Sequence, residues 1–316
     1  MTEGRAAAGA EARPPVSELL FVGGTGRSGT HVLGRLLDRH ARYAGIPIEA
    51  RFHCNKRGIP DLLGGRVTLA GFIEKLRDFW WHRVRVDDEP RGLYNLLTRR
   101  QFDRAVEAFE GGYHADPIVA CRRLFRDLLF PLAVEEGKPG LAEMSSHNIR
   151  EAQTLRRLFP QARFIHAVRD GRDAASSVTT KTWGPERVAA GIDWWADRLR
   201  AIEEGIRGEE DGAAFSLPPD RLHVVVLDDL VEGERDAAYG RLAAFVGDGA
   251  DDAGMRHFFD REMSPANAHL SRWREGLGRW GRLRVERKYE RTLAALERER
   301  NHAAGPLIQA YERLGR

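Results

Sequence analysis

Apolar residues along the chain fall into short blocks whose spacing alternates between extended and helical. Leu19-Leu20-Phe21-Val22 is a continuous apolar run that ends in Gly23-Gly24, passes through a Gly/Ser/Thr turn, and resumes as Val32, Leu33, Leu36 and Leu37 at helical spacing. This unit reads as strand, tight loop, helix. A second unit opens with Arg163-Phe164-Ile165-His166-Ala167-Val168, a buried-strand pattern that yields at Asp170-Gly171 to a helical stretch from Arg172 to Ser177. Leu222 to Leu227 forms a third strand, and Pro139-Gly140 introduces a short one from Leu141 to Met144. Helices are expected from Thr68 to Phe79, Gln101 to Phe109 and Pro117 to Glu135, and over residues 283–314. Such alternation predicts an α/β fold, a P-loop-like parallel sheet flanked by helices, with any ligand at the carboxyl ends of the strands. Residues 1–17, rich in Ala, Gly, Glu and Pro, are expected to be a flexible tail. Residues 18–316 are expected to form a single domain with a helical insertion at about 68–136 and a helical C-terminus, because no Pro/Ser-rich linker divides them.

Composition narrows the classes. Of 316 residues, 42% are hydrophobic and 31% charged, enough apolar material for a core and too much for a disordered chain. No apolar run approaches the ~18–20 residues that cross a bilayer, and the first residues lack the apolar block of a signal peptide, so a cytoplasmic protein with no membrane span is expected. Cys54 and Cys121 are the only cysteines and form no CxxC, so neither a disulfide framework nor a zinc site is predicted. The net charge of +3 does not call for nucleic acid. Basic residues do thicken between Arg272 and Lys288, where a solvated helix face and an anion site are both open readings.

The chemistry concentrates in Gly23-Gly24-Thr25-Gly26-Arg27-Ser28-Gly29-Thr30-His31. Between a strand and a helix, backbone N–H groups and the helix dipole favour a phosphate or sulfate, although a glycine-rich turn also serves packing alone. Against the nucleotide P-loop GxxxxGK[ST], the glycine register of Gly24 and Gly29 is kept, but Thr30 stands for the Lys and His31 for the Mg²⁺-binding hydroxyl. The cation has moved to Arg27. That substitution argues against a P-loop kinase or nucleotide hydrolase and for an anion held without metal.

The segment resembles the 5′-phosphosulfate loop, G-x-x-R-S-G-T-[TS], of sulfotransferases that use 3′-phosphoadenosine 5′-phosphosulfate (PAPS). Val168-Arg169-Asp170-Gly171-Arg172-Asp173-Ala174-Ala175-Ser176-Ser177 is similar to that family's 3′-phosphate element, with an Arg at the strand end and a Ser eight residues on. Taken alone, Arg169-Asp170 could equally be an ion pair at a helix start. Leu155 to Val178 resembles tyrosylprotein sulfotransferases and related bacterial enzymes, Ser271-Arg272-Trp273-Arg274-Glu275-Gly276-Leu277 resembles the late R-W-[RK]-x-x-L segment, and Val226 to Leu230 resembles the strand that ends in an acidic pair. The resemblance implies a sulfotransferase fold and transfer of a sulfuryl group from PAPS to an acceptor hydroxyl, leaving adenosine 3′,5′-bisphosphate, with no metal. It implies cofactor contacts at Gly26, Arg27, Ser28, Gly29, Thr30, His31, Arg169, Ser177, Arg272 and Trp273.

For the acceptor proton, Ile46-Pro47-Ile48-Glu49-Ala50-Arg51 stands where tyrosylprotein sulfotransferases carry G-E-E-x-R, which implies Glu49 as general base beside Arg27 as charge stabiliser. A capping carboxylate is the plainer reading of Glu49. His53 is the alternative base, since cytosolic sulfotransferases use a His and an unperturbed imidazole titrates near 6.5. One departure stands out: the family's Lys before the second unit is missing from Leu141-Ala142-Glu143-Met144-Ser145-Ser146-His147-Asn148, which shifts leaving-group stabilisation to Arg27, Ser145 or His147. Trp80-Trp81, Trp183 and Trp194-Trp195 either line an acceptor cleft or pack. The expected partner is a hydroxyl-bearing small molecule, sugar, lipid or peptide tyrosine, and a homodimer is a possible assembly. A non-catalytic nucleotide-binding protein of the same fold is the remaining alternative.

Overall fold

A computed structural model describes residues 16–83, 91–208, 217–247 and 252–315. Five parallel strands form its centre: β1 (Glu18–Gly24), β2 (Tyr43–Gly45), β3 (Gly140–Glu143), β4 (Arg163–Val168) and β5 (Leu222–Val226), in the spatial order β2-β3-β1-β4-β5. The first strand in the chain therefore lies in the middle. Its carboxyl end has a neighbour on each side, β3 and β4.

Helix α1 (Thr30–Asp38) returns from β1 to β2. Helices α2 (Ile59–Leu63), α3 (Leu69–Lys75), α4 (Arg99–Tyr113) and α5 (Pro117–Glu136) fill the long crossover to β3, and α6 (Ala152–Leu158) leads to β4. Beyond β4 come α7 (Gly171–Thr179) and α8 (Val188–Arg207). After β5 follow α9 (Leu227–Val231), α10 (Arg235–Val246), α11 (Ala253–Glu262), α12 (Pro265–Ala268), α13 (Arg279–Arg298) and α14 (Ala304–Leu314). Most of the helices expected from spacing are present, and their local signals explain their limits. Thr98 and Gln101 form a reciprocal capping box on α4, and α5 starts from the Asp116 cap with Pro117 in its first turn and stops at left-handed Gly137. The stretch from Thr68 is shorter in α form, giving way to a π-helical turn at Leu76–Trp80. The C-terminal stretch is two helices rather than one. Left-handed Arg300 breaks it, and Asn301, whose side-chain amide donates to the Leu199 carbonyl at 3.0 Å, pins the break to α8.

Alternate residues of each strand enter opposite layers. Leu19 and Phe21 of β1, with Leu141 and Phe164, meet the helices of the crossover; Leu20 and Val22, with Ile165, Ala167 and Val225, meet α1 and α9 to α11. A third cluster buries α7, α8, α13 and α14 around Trp195, Trp273 and Tyr289. Trp80, Trp81 and Trp195 are buried in these layers and pack. Of the expected tail, residues 1–15 lie outside the described residues, while Val16 is buried and the Ser17 amide donates to the Pro139 carbonyl at 2.9 Å.

Helices α7 and α8 approach closely because small residues face each other. A Cβ on Gly191 would lie 2.7 Å from the Ala175 Cβ, and one on Gly171 2.7 Å from the Trp195 ring. Gly191→Leu should therefore push α8 from α7, costing roughly 1–3 kcal/mol. Thermal denaturation should show a lower Tm, and any anion affinity that depends on α7 should weaken with it.

Candidate active site

The loop after β1 owes its shape to three left-handed residues within four positions. Gly26, Arg27 and Gly29 all have positive φ, 82°, 62° and 91°. The loop also runs against its neighbours so closely that side chains would not fit. A Cβ on Gly23 would sit 2.5 Å from the Ile149 amide nitrogen, and one on Gly24 2.3 Å from Ser28 Oγ. Gly29 caps α1 without a side-chain hydrogen bond and the first turn holds no acid, so the positive end of the helix dipole faces the loop without an acidic neighbour in that turn. Ser28 Oγ, buried beneath the loop, has no hydrogen-bond partner among the described residues. An orphaned hydroxyl beside uncapped amides suits an anion.

Two elements beyond β4 approach this loop. The Arg27 Nε donates to Ser177 Oγ at 2.9 Å, so the second unit is tied to the first through the Ser of α7 rather than through Arg169. Arg169 instead donates to the carbonyls of Ala268 and His269 at 2.8 and 3.0 Å, and its buried Nε lacks a partner. Asp173 accepts from the amides of Ser271 and Trp273 at 2.7 and 3.3 Å. Arg169 and Asp173 together clamp the 268–274 segment onto α7. Arg272 is exposed there, whereas the Trp273 ring is buried on Arg172, whose guanidinium carbon also lies about 5 Å from the Tyr289 and Tyr311 rings. Asp170 pairs with Arg172 and caps α7, and its amide donates to Asp228 at 2.9 Å. Burial and the nearby Asp170 charge push the Asp228 carboxyl up to about 6.

On the other side of the loop, Glu49 is buried at the end of the segment that follows β2. It pairs with Arg51, stands 3.8 Å from both Arg83 Nη2 and His31 Nε2, and accepts from the Ser146 amide at 3.4 Å. Burial alone would raise its pKa; Arg51, His31 and Arg83 outweigh it and hold the carboxyl below its ordinary range. His31 therefore connects the anion loop to Glu49. Arg83, far from Glu49 in sequence, carried no signal of its own.

His53 is fully buried. Its Nε2 lies 2.8 Å from Asn148 Oδ1 and 3.0 Å from Glu143 Oε2, and the ring packs against Phe21, Phe52 and Phe125. Burial opposes both charges, yet Cys54 and Glu143 raise the imidazole, and His53 with the Ser145 and Asn148 hydrogen bonds holds Glu143 down at about 2. Ser145 Oγ donates to Glu143 at 2.7 Å and accepts the Arg51 amide at 3.1 Å, so it too is spoken for. His147 is different. Burial, Arg150 and Arg51 lower it to about 4, so it is a neutral imidazole at neutral pH, and its buried Nδ1 has no partner. Two of the expected acceptor-lining tryptophans lie toward α7 and α8: Trp194, which a Cβ on Gly26 would meet at 3.9 Å, carries Arg198 on its face, and exposed Trp183 lies 6.0 Å from it.

The described residues contain no group of three or more His, Cys, Asp or Glu placed to hold a metal ion, and no helix among them is long and apolar enough to cross a membrane. No protein of curated function matches the chain. Solved structures similar to it include the sulfotransferase domain from the Synechococcus PCC 7002 olefin synthase, at 18% identity and TM-score 0.47, with 89% of this chain and 96% of that chain covered. Another is the sulfotransferase domain from the curacin biosynthetic pathway, at 16% identity and TM-score 0.47, covering 81% and 83%. A third is sulfotransferase STF9 from Mycobacterium avium, at 17% identity and TM-score 0.40, covering 89% and 77%. The family model whose description is "Sulfotransferase family" matches residues 20–247, a span that runs from the anion loop through Glu49 to Arg169 and Ser177, and the chain belongs to that family of sulfuryl-transferring enzymes.

Proposed function

We propose that the protein transfers a sulfuryl group from PAPS to an acceptor hydroxyl. The observation that carries this reading is the Arg27–Ser177 hydrogen bond, which joins the anion loop to the helix following Arg169. One half of that surface fits a 5′-phosphosulfate and the other a 3′-phosphate. The residues fit the group: uncapped α1 amides, the orphaned Ser28 hydroxyl and Arg27 would hold the phosphosulfate, and Ser177 and Arg169, with its free Nε, the 3′-phosphate. Thr30 and His31 would complete the first set, and exposed Arg272 the second. Trp273 supports from below, through Arg172, rather than from the ligand's side.

When bound, PAPS supplies a sulfuryl group already activated by its anhydride bond to phosphate. The chain's task is then to position, to stabilise negative charge and to take up a proton. Arg27 and the loop amides stabilise the charge. Glu49, ionised and held by Arg51, would accept the acceptor's hydroxyl proton. His53 acts at a distance by pairing with Glu143. In place of the missing Lys, neutral His147 beside Glu49 and Arg51 is available to hydrogen-bond at the reaction centre.

Isothermal calorimetry should find adenosine 3′,5′-bisphosphate bound about ten- to a hundredfold more tightly than AMP, as a charge-assisted phosphate contact of roughly 1.5–3 kcal/mol requires. Arg169→Ala should erase most of that difference; equal affinities in the wild type would end the reading.

Sulfuryl transfer should also persist in EDTA, since the loop has Thr30 and His31 where a P-loop kinase has its Lys and its Mg²⁺-binding hydroxyl. Metal-reversible loss of turnover would move the protein toward the kinase alternative.

Glu49→Gln should lower kcat by roughly 10²–10⁴ with little change in bisphosphate affinity. The wild-type rate should fall only as pH drops below the ordinary carboxylate value of 4.5, because a base with a lowered pKa stays unprotonated above it. A near-normal kcat in Glu49→Gln, joined to loss of turnover in His147→Ala, would transfer the base to His147.

A further inference from the structure

A cavity of about 460 Å³ opens beside the candidate base. One wall is the His31, Arg35 and Asp38 face of α1, and the other is Ile46, Pro47 and Ile48 after β2, with Met144 after β3 and Arg91 of the long crossover. Ile46, Ile48 and Met144 are buried aliphatic side chains. His31 belongs to both sites, lining the cavity while its Nε2 stands 3.8 Å from Glu49 Oε1. From this we infer that the cavity is the acceptor subsite, and that it takes a small, largely apolar alcohol or phenol whose hydroxyl lies at the His31–Glu49 end. The inference rests on the sulfuryl-transfer reading above and names its second substrate.

Topology supplies the first argument. The sheet order β2-β3-β1-β4-β5 puts the loop of β1 in the middle, with Arg169 and Ser177 issuing from β4 on one flank. In-line displacement needs the incoming oxygen and the departing nucleotide on opposite sides of the transferred group. The cavity lies on the β2–β3 flank, away from β4. Trp183 and Trp194, by contrast, stand on the α7–α8 side, that of the 3′-phosphate element, and are poorly placed for an acceptor.

Chemistry supplies the second. The volume falls within the 300–1,000 Å³ usual for small-molecule sites, whose walls are mostly apolar with a few placed polar groups. Arg35, Asp38 and Arg91 could pair some hydroxyls of a sugar, but those seated against Ile46, Ile48 and Met144 would be left without partners. A naphthol or medium-chain alcohol has one hydroxyl to satisfy.

The test uses the full chain with 2-naphthol, 1-decanol, N-acetylglucosamine and a tyrosine peptide as acceptors, and bisphosphate calorimetry as a separate readout. The wild type should sulfate 2-naphthol or 1-decanol in preference to the sugar and the peptide. Ile48→Trp, which fills the cavity, should raise the KM of the preferred apolar acceptor at least tenfold and leave bisphosphate affinity within twofold. Should that variant fail to fold, Arg35→Trp at the exposed end of the same wall should raise KM severalfold without touching the nucleotide side. Preference for the sugar or the peptide, or an unchanged KM in a folded, bisphosphate-binding Trp variant, would overturn the subsite while leaving the donor reading in place. Absence of bisphosphate binding in the wild type would instead overturn the donor reading, and the subsite with it.

Discussion

A fully buried carboxylate at the end of β3 organises the site. Glu143 meets His53, accepts the Ser145 hydroxyl and the Ala50 and Ser145 amides, and is reached by the Asn148 side chain. Those donors come from the two segments that flank the anion loop, residues 50–53 and 145–148. Such a charge is tolerable only because every partner is in place, and removing one from a buried pair typically costs about 3–5 kcal/mol. The same segments also hold Glu49 and the loop after β1. Ser146 donates its amide to Glu49 and accepts the Gly24 amide through its carbonyl, so Glu49 and the start of the loop share one support.

That support explains why Glu49 and His53, four residues apart, have different fates. Glu49 is surrounded by Arg51 of its own segment, Arg83 and His31 of α1, which hold its pKa down despite burial. His53 is turned inward, and its charge is consumed in holding Glu143. A histidine with an elevated pKa would be protonated at neutral pH and could not serve as a base, whereas His147, lowered by burial and neighbouring arginines, is unprotonated there. Two histidines of the same site are thus driven in opposite directions by their neighbours.

The parts legible in the sequence were those written locally. The apolar run before Gly23-Gly24, the spacing after it, and the strand from Arg163 to Val168 with Asp170 as cap each carry their own conformational instruction. Strand β2 did not, because three residues at a sheet edge have too few alternations to register. Helix α8 was passed over, although Ile192, Trp195, Ala196, Leu199, Ile202 and Ile206 line its buried face. In the sequence its tryptophan pair is open to either a cleft or packing, and burial assigns Trp195 to the core. The partners of Glu49 were equally hidden. Arg83 and Ser146 reach it only through the long crossover between β2 and β3, a tertiary fact with no local trace.

The same crossover gives the fold its asymmetry. Placing the first strand at the centre of the sheet divides the ground above it into a β4 side and a β3 side. Arginine and hydroxyl groups from α7 and the clamped 268–274 segment collect on the β4 side, where anions are compensated. Apolar residues from the ends of β2 and β3 collect on the other, beside the Glu49 carboxylate that Arg51, Arg83 and His31 surround. The loop between them must present cationic and amide groups to whatever spans the divide, and this is why its single arginine adopts a left-handed backbone conformation that bulky residues seldom take. Arg27 is held there by Ser177, so the strain is borne where the two halves of the site meet.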